Sequence, residues 1–331
     1  MHSILRFLVV LLGFAYFSLA QAQWHHFTST AMTTKLDLEF WLADELQAKQ
    51  ISERVFLEFD RIEAVMTRYG DTSELSIINR LAGEKTLPVS ASLFKVLQSS
   101  KQMSVLSEGA FDMTFASVGY LYDFRNKRVP TNLEIERQKS AIDFRYVQLN
   151  KKEQTLRFAH PNVLIDLGGI AKGYAVDQGV LILKLAGVAH ARLSAGGDMR
   201  LLGDKKGKPW IVGVKDPRAT LKNTSNAVVL PLSDVSISTS GDYERFFIDD
   251  DGERIHHIIS PKTGRSVQGV QSVSVIGPDT LTSDGLSTAI FVLGVKKGLA
   301  LANRLEGIDV IIIDAQRQLH FSEGLMSPAL P

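Results

Sequence analysis

The sequence has no cysteine among its 331 residues. No disulfide can brace the fold and no thiol can carry a lipid. An excess of charge of either sign is also lacking: 37 basic residues against 36 acidic ones leave a formal net charge of +1. That argues against a nucleic-acid binder, which normally shows a basic excess or patch. No long run of like charge occurs; Lys205-Lys206 with Lys208, beside Gly207 and Pro209, reads as a solvated turn. There is no internal repeat and no low-complexity tract. Long apolar runs are scarce, and the one near the N-terminus, Leu8 to Ala20, is shorter than the roughly 20 residues that span a bilayer.

What is present is ordinary globular composition, 45% hydrophobic and 22% charged, long enough for one large or two medium domains and for a core that needs no disulfides. His2 and Arg6 precede the apolar run, which ends at Ala20-Gln21-Ala22. A short positive region, an apolar stretch and a small-x-small site together describe a cleaved signal peptide over residues 1–22. The remaining residues 23–331 are then one exported domain, without a membrane-spanning segment, in a periplasm or similar exterior space.

Apolar periodicity predicts helices over Asp44–Thr67, Leu93–Ser107, Ala171–Ala186 and Thr282–Leu305, the last with Ser283 as N-cap. Strands are expected at Thr28–Phe40 with an interruption, Val163–Ile165, Ala191–Ser194, Trp210–Val214, Val228–Thr239, Ser272–Ile276 and Ile308–Ile313. Phe246–Ile248 and Arg254–Ile259 form a hairpin around Asp249-Asp250-Asp251-Gly252. Strands and helices mix without regular βαβ alternation, so the fold class is α+β rather than a doubly wound sheet.

Three stretches could carry chemistry. In Asp166-Leu167-Gly168-Gly169-Ile170-Ala171-Lys172 a carboxylate, two glycines and a lysine sit at a turn into a helix. Glycines let a ligand approach the backbone, and a helix start favours phosphate oxygens. The order matches neither a Walker loop nor a dinucleotide fingerprint, so it reads as an anion or nucleotide site or as a Gly-rich packing turn. Asp284 and Thr288 lie four apart near a helix start and share a face. As hard oxygen ligands they suit magnesium; the alternative reading of Asp284 is a first-turn partner of the helix dipole. His257 lies on a largely apolar strand, either as a structural histidine or as an acid–base group, and its neighbour His256 points the other way. A histidine pair split across two faces, with no cysteine, does not make a zinc site.

Together these stretches resemble the ApbE family, the FAD:protein FMN transferases, from about Phe27 to about Ala315. The matching motifs occur in family order: Met66-Thr67-Arg68-Tyr69, Ser73-Glu74-Leu75-Ser76 with Asn79, Gly109-Ala110-Phe111-Asp112, Asp166 to Ala175, Gly196-Gly197-Asp198, Ser240 to Arg245, His257-Ile258-Ile259, and Asp284 to Thr288 leading into Ala289 to Gly294. The resemblance implies a single unit of mixed sheets and helices related to the T-fold, with a cleft for FAD. Met32, Tyr69, Ala110, Phe111, Asp112, Asp166, Lys172 and Ile259 would hold FAD. The Gly169 carbonyl, Asp284 and Thr288 would bind Mg²⁺, with Ser287 in a further ligand-associated position, and His257 would stand beside the reacting phosphate.

The implied reaction moves FMN from FAD to a Ser or Thr hydroxyl of an exported or membrane-bound redox protein and releases AMP, with His257 and Asp284 as the catalytic pair. Two other outcomes belong to the same site: water replacing the hydroxyl, which would make a magnesium-dependent FAD pyrophosphatase, and FAD binding without turnover. The chain departs from the family where Thr33 follows Met32 in place of a common glycine, where Ser260 precedes Pro261 in place of an aspartate, and at Ser287, where some members carry Asp or Ala.

Overall fold

A computed structural model describes residues 22–219 and 225–326. The expected signal peptide lies, but for its last residue, outside the described residues. The first element is a hairpin: β1 (Gln23–Ala31) and β2 (Thr34–Leu42) pair antiparallel in register from Gln23–Leu42 to Ala31–Thr34. The expected interruption is the two-residue turn Met32-Thr33, with φ of 52° and 60°. Both turn residues are left-handed, as a turn matched to the strands' twist demands.

Asp44 caps α1 (Glu45–Met66) by accepting from the Gln47 N–H at 2.8 Å. Its buried stripe is Ala48, Ile51, Val55, Phe59, Ile62 and Met66, the spacing of one helical face. Leu46 and Leu57 fall off that stripe and are exposed. Ser73 caps α2 (Glu74–Leu81), and α3 (Ala91–Leu106) follows. A small sheet of β3 (Leu87–Pro88), β4 (Val147–Asn150) and β5 (Thr155–Phe158), with the short helices α4 (Ala116–Gly119) and α5 (Asn132–Lys139), completes this half.

Val163–Ile165 is not a strand. The Val163 N–H donates to the His160 carbonyl at 3.3 Å, and the next two residues bond to side chains: the Leu164 N–H donates to Ser117 Oγ at 3.0 Å, and Asn79 accepts from the Ile165 N–H while donating to its carbonyl. Periodicity cannot distinguish such a segment from a buried strand, because both are extended and apolar.

Beyond it come α6 (Ala171–Leu185), the hairpin β6 (Ala191–Ala195) and β7 (Asp198–Leu202), and the ribbon β8 (Trp210–Lys215) with β9 (Asn226–Leu232). The expected strand Val228–Thr239 is divided. Its first part is in β9 and its second is β10 (Ser236–Gly241), in a different sheet. The chain turns between them at Asp234, φ 51°. The ribbon β11 (Phe246–Ile248) and β12 (Arg254–His256) is the expected hairpin, ending before His257. β13 (Val270–Gly277), α7 (Thr280–Ala302), β14 (Asp309–Asp314), β15 (Leu319–Phe321) and α8 (Glu323–Met326) close the chain.

The N-cap of α7 is Asp279, not Ser283: the Asp279 carboxylate accepts from the Thr282 N–H at 2.8 Å. Ser283 is already inside the helix, buried and 2.5 Å from Ser236 Oγ. By length and composition α7 is apolar enough to cross a membrane, but half of its apolar window is buried inside the fold (50%).

The main sheet has eight strands in the order β1-β2-β6-β7-β10-β13-β14-β15, and every neighbouring pair is antiparallel. Helices α1, α6 and α7 pack with it around one apolar core that includes Leu38, Phe59, Val176, Leu193, Val273 and Phe291. This is the α+β architecture expected, and the ends of its elements surround a cleft.

Candidate functional site

The cleft has a volume of about 390 Å³, in the range of small-molecule sites. Its walls come from distant parts of the chain: the Met32–Thr34 turn, the segment after α1, the Ala110–Met113 loop, the Asp166–Gly169 turn, the β6–β7 turn, the end of β10, Glu244 and Arg245, His257 to Ile259, and Asp284 and Thr288 on α7.

The floor is where α6 crosses α7. Gly173 makes the crossing possible, since a Cβ there would overlap the Thr280 carbonyl oxygen and lie 2.8 Å from Asp284 Cβ. At that approach the Gly173 N–H donates to Asp284 Oδ2 at 2.9 Å. Lys172 reaches down between two buried carboxylates, 3.0 Å from Asp198 Oδ2 and 3.8 Å from Asp284 Oδ2. Burial opposes the lysine's charge, but Asp198 and Asp284 outweigh it and hold the ammonium protonated, well above the usual lysine range. Burial and the nearby Asp198 charge push Asp284 up to about 7, against the pull of Lys172. Two carboxylates sharing one ammonium leave this floor short of one positive charge.

Oxygen donors continue outward from Asp284. Thr288 is one turn along α7, and a Cβ at Gly169 would lie 3.0 Å from Thr288 Oγ1, so the backbone at Gly169 and this hydroxyl are close neighbours. Ser240 Oγ is 3.2 Å from Thr288 Oγ1 and 2.8 Å from Ser287 Oγ. Among the described residues no group of three or more His, Asp or Glu side chains is placed to hold a metal ion.

On the opposite wall Asp166 forms its own turn, Oδ1 accepting from the Gly168 N–H at 2.7 Å, while Oδ2 faces Arg68 Nε at 3.7 Å. The Arg68 guanidinium lies against the rings of Tyr69 and Tyr120, at 4.7 and 4.5 Å from their centroids. Flat cationic and aromatic surfaces of this kind suit a planar ring system. Tyr120 is anchored by donating to the Ile165 carbonyl at 2.8 Å, and burial raises its pKa. His257 donates its backbone N–H to the Arg245 carbonyl at 3.1 Å, while its Nδ1 is buried with no hydrogen-bond partner among the described residues. Burial, His256 and Arg245 push its pKa down to about 3, so the imidazole is neutral. His256 faces away, 2.6 Å from the Val267 carbonyl and edge-on to Phe291, as alternation along a strand predicts.

Of the residues singled out from sequence, Met32, Tyr69, Ala110, Phe111, Asp112, Asp166, Gly169, Lys172, His257, Ile259, Asp284 and Thr288 all line the cleft. Asp112 does so with its carboxylate already engaged, by Thr114 and the Phe144 N–H. Ser287 does not line it: fully buried behind Thr288, it donates to the Asp284 carbonyl at 2.8 Å. Ser260 shapes the neighbouring turn through its backbone, donating to the Arg265 carbonyl and accepting from Gly264.

Asp198, Arg68, Ser240, Glu244 and Arg245 also line the cleft, and sequence reasoning gave them no role. Asp198 carried a signal, a carboxylate directly after the Gly196-Gly197 turn. Arg68 stood in the Met66–Tyr69 motif of the resemblance, but its pairing with Asp166 comes only through the fold.

The sequence profile of the ApbE family matches residues 32–312. The chain is 33% identical over 291 residues to the FAD:protein FMN transferase of Treponema pallidum, covering 83% of this chain and 80% of that one. It is 34% identical over 252 residues to the Haemophilus influenzae protein of the same name, covering 73% and 72%. Among solved structures it is similar to the ApbE protein of Thermotoga maritima, with a TM-score of 0.84, 30% identity and coverage of 92% of this chain and 98% of that one. The flavin transferase ApbE of Vibrio cholerae gives a TM-score of 0.82 at 27% identity, covering 92% and 99%.

Proposed function

Because this chain belongs to the ApbE family, we propose that it is an FAD:protein FMN transferase, which moves the FMN half of FAD onto a Ser or Thr hydroxyl of another protein. The observation that carries the reading is the floor of the cleft, where Asp284 and Asp198 share Lys172 within reach of the neutral His257. A site for phosphoryl transfer needs little covalent chemistry of its own; it positions groups and balances charge.

The donor set fits magnesium. Asp284, the Thr288 hydroxyl and the Gly169 carbonyl are hard oxygen ligands, few enough that substrate phosphates and water complete the shell. Burial and the neighbouring Asp198 raise the pKa of Asp284, and a divalent cation held at this carboxylate would favour its ionised form. Bound there, magnesium would neutralise charge on the diphosphate and on the leaving phosphate. Ser287 supports this arrangement from behind, through its bond to the Asp284 carbonyl.

Lys172 and Arg245 attract the diphosphate, and Arg68, Tyr69 and Met32 offer surfaces for the flavin or adenine ring. The acceptor oxygen attacks the FMN-side phosphorus, the anhydride bond to the AMP phosphate breaks, and AMP leaves with that bond's electron pair. The hydroxyl proton passes to the unpartnered His257 and then to solvent. The diphosphate's negative charge offsets Arg245 and Lys172, two of the groups that depress the histidine, and so raises its basicity when it is needed.

The positive N-terminal residues, the apolar run and the Ala-Gln-Ala site support export to the periplasm, where an exported or membrane-bound redox protein would be the acceptor.

The test is to mix the chain with FAD, Mg²⁺ and an exported flavin-acceptor domain. An FMN mass addition on the acceptor, lost with EDTA, is the expected result. Release of FMN and AMP without a covalent product would make the enzyme a pyrophosphatase instead, and FAD binding with neither product would leave it a binding protein.

A further inference from the structure

Transfer to a protein needs a surface on which that protein sits, and the cleft accounts only for the nucleotide. The ribbon β11–β12 leaves the cleft at Arg245 and returns to it at His257, and the His257 N–H to Arg245 carbonyl bond closes its base. Successive side chains on a strand face opposite ways. Phe247 faces inward, its ring 6.0 Å from that of Phe124. Phe246 and Ile248 face outward, 40% and 47% exposed. The Arg254 guanidinium lies 3.7 Å over the Phe246 ring and steadies it. At about 3.3 Å per residue, Ile248 is roughly 10 Å along the strand from Arg245. Neighbouring exposed apolar side chains with a charged border, continuous with a cleft, suit a protein contact.

The two arginines beside that pair, Arg245 and Arg254, lie toward the cleft, with Arg254 3.8 Å from Asp242, whereas the turn at the far end of the ribbon is acidic. Asp249 is used internally, accepting from the Asp251 and Glu253 N–H groups. Asp250, Asp251 and Glu253 are exposed, and none of them forms an ion pair among the described residues.

We propose that the outer face of this ribbon, Phe246 and Ile248 with the acidic turn above them, is where the acceptor protein docks. The partner it fits presents an apolar side chain flanked by lysine or arginine, and so lays its hydroxyl-bearing segment across His257. A second copy of this chain would bring the same acidic turn against its like, whereas an acceptor must by its function reach a cleft that both ends of the ribbon border. The inference rests on the FMN-transfer reading.

Two double variants of the full chain test it, Phe246→Ser with Ile248→Ser, and Asp250→Lys with Asp251→Lys. The probe is a purified exported flavin-acceptor domain, and FAD affinity is followed separately by flavin fluorescence. Both variants are expected to bind FAD within twofold of wild type and to show an acceptor KM raised tenfold or more. The wild-type KM should also rise with salt, and less so in the lysine variant. An unchanged acceptor KM in both variants would overturn the proposal. So would a matching loss of FAD affinity, since the ribbon would then be a wall of the nucleotide site. A wild-type chain that transfers no FMN would remove the functional reading itself, a failure visible before any variant is made.

Discussion

Asp284 is a carboxylate placed where water cannot stabilise its charge, and the consequence is a pH dependence of known sign. Its folded pKa, about 7, stands above the unfolded value of 3.8, so its contribution to stability is complete below the unfolded value and is lost as pH rises through 7. In metal-free buffer, Asp284→Asn should therefore be at least as stable as wild type at pH 8, while losing FMN transfer at least a hundredfold. Thermal melts in EDTA at pH 5 and pH 8 check this, and a variant clearly less stable at pH 8 would show the carboxylate to be structural. His257 works the other way. Its folded pKa of about 3 lies below the usual 6.5, so its contribution is present above pH 6.5 and is lost as pH falls toward 3. His257→Gln should flatten that acid-side loss in a series of melts from pH 3 to 6.5. A positioned general base contributes about 10²–10⁴-fold, so the same variant should lower kcat by that order with FAD affinity nearly kept. An unchanged kcat would remove the base assignment.

Elements fix these residues at two contacts that local sequence hides. One is the crossing of α6 and α7 at Gly173. A methyl there meets the Thr280 carbonyl and Asp284 itself, so Gly173→Ala must push the helices apart. Overpacking of this kind costs about 1–3 kcal/mol, and the Gly173 N–H to Asp284 bond should lengthen with it. The expected outcome is a lower Tm together with weaker magnesium dependence of transfer; a variant with wild-type values for both would mean the crossing has slack. The other contact is the Met32-Thr33 turn. Thr33 holds φ 60°, costly for a branched side chain, by roughly 1–2 kcal/mol. Thr33→Gly should relieve that strain and raise Tm, read by differential scanning calorimetry, and a fall in Tm would show that the threonine's own contacts outweigh it. The motifs Asp166–Ala175 and Asp284–Thr288 were legible because each sits within a single turn or helix, where spacing alone fixes the geometry. The pairing of Lys172 with Asp198 was not, because most of α6, the strand β6 and a turn intervene, and Arg68 meets Asp166 only after α1 and the loop before α6 have packed. The split of Val228–Thr239 into two strands was hidden for a similar reason: the alternation continues through the turn at Asp234, and only the sheet reveals the change of partners.

At the scale of the whole molecule the cleft belongs to no single element. Met32 lies on the first hairpin and Thr288 on the last long helix, and the α+β class was readable from sequence while this convergence came only from the family resemblance. Periodicity reports which face of an element is buried, not which elements meet. Walls drawn from both ends of the chain have a thermodynamic consequence: they exist together only in the folded state, so ligand binding is linked to global unfolding rather than to the opening of one loop. At a ligand concentration 100 times Kd the linkage is worth about 2.7 kcal/mol. FAD with Mg²⁺ should therefore raise Tm by several degrees in one cooperative transition. Magnesium alone should raise it less, and more at pH 8 than at pH 5, because protons compete with the ion for Asp284 at the lower pH. EDTA should reverse the magnesium part and leave the FAD part. In Asp284→Asn the magnesium part should be missing from the start, while FAD still stabilises through Arg68, Lys172 and Arg245. A magnesium shift of equal size in that variant and in wild type would place the ion elsewhere in the cleft and separate the metal from the carboxylate on which the mechanism depends.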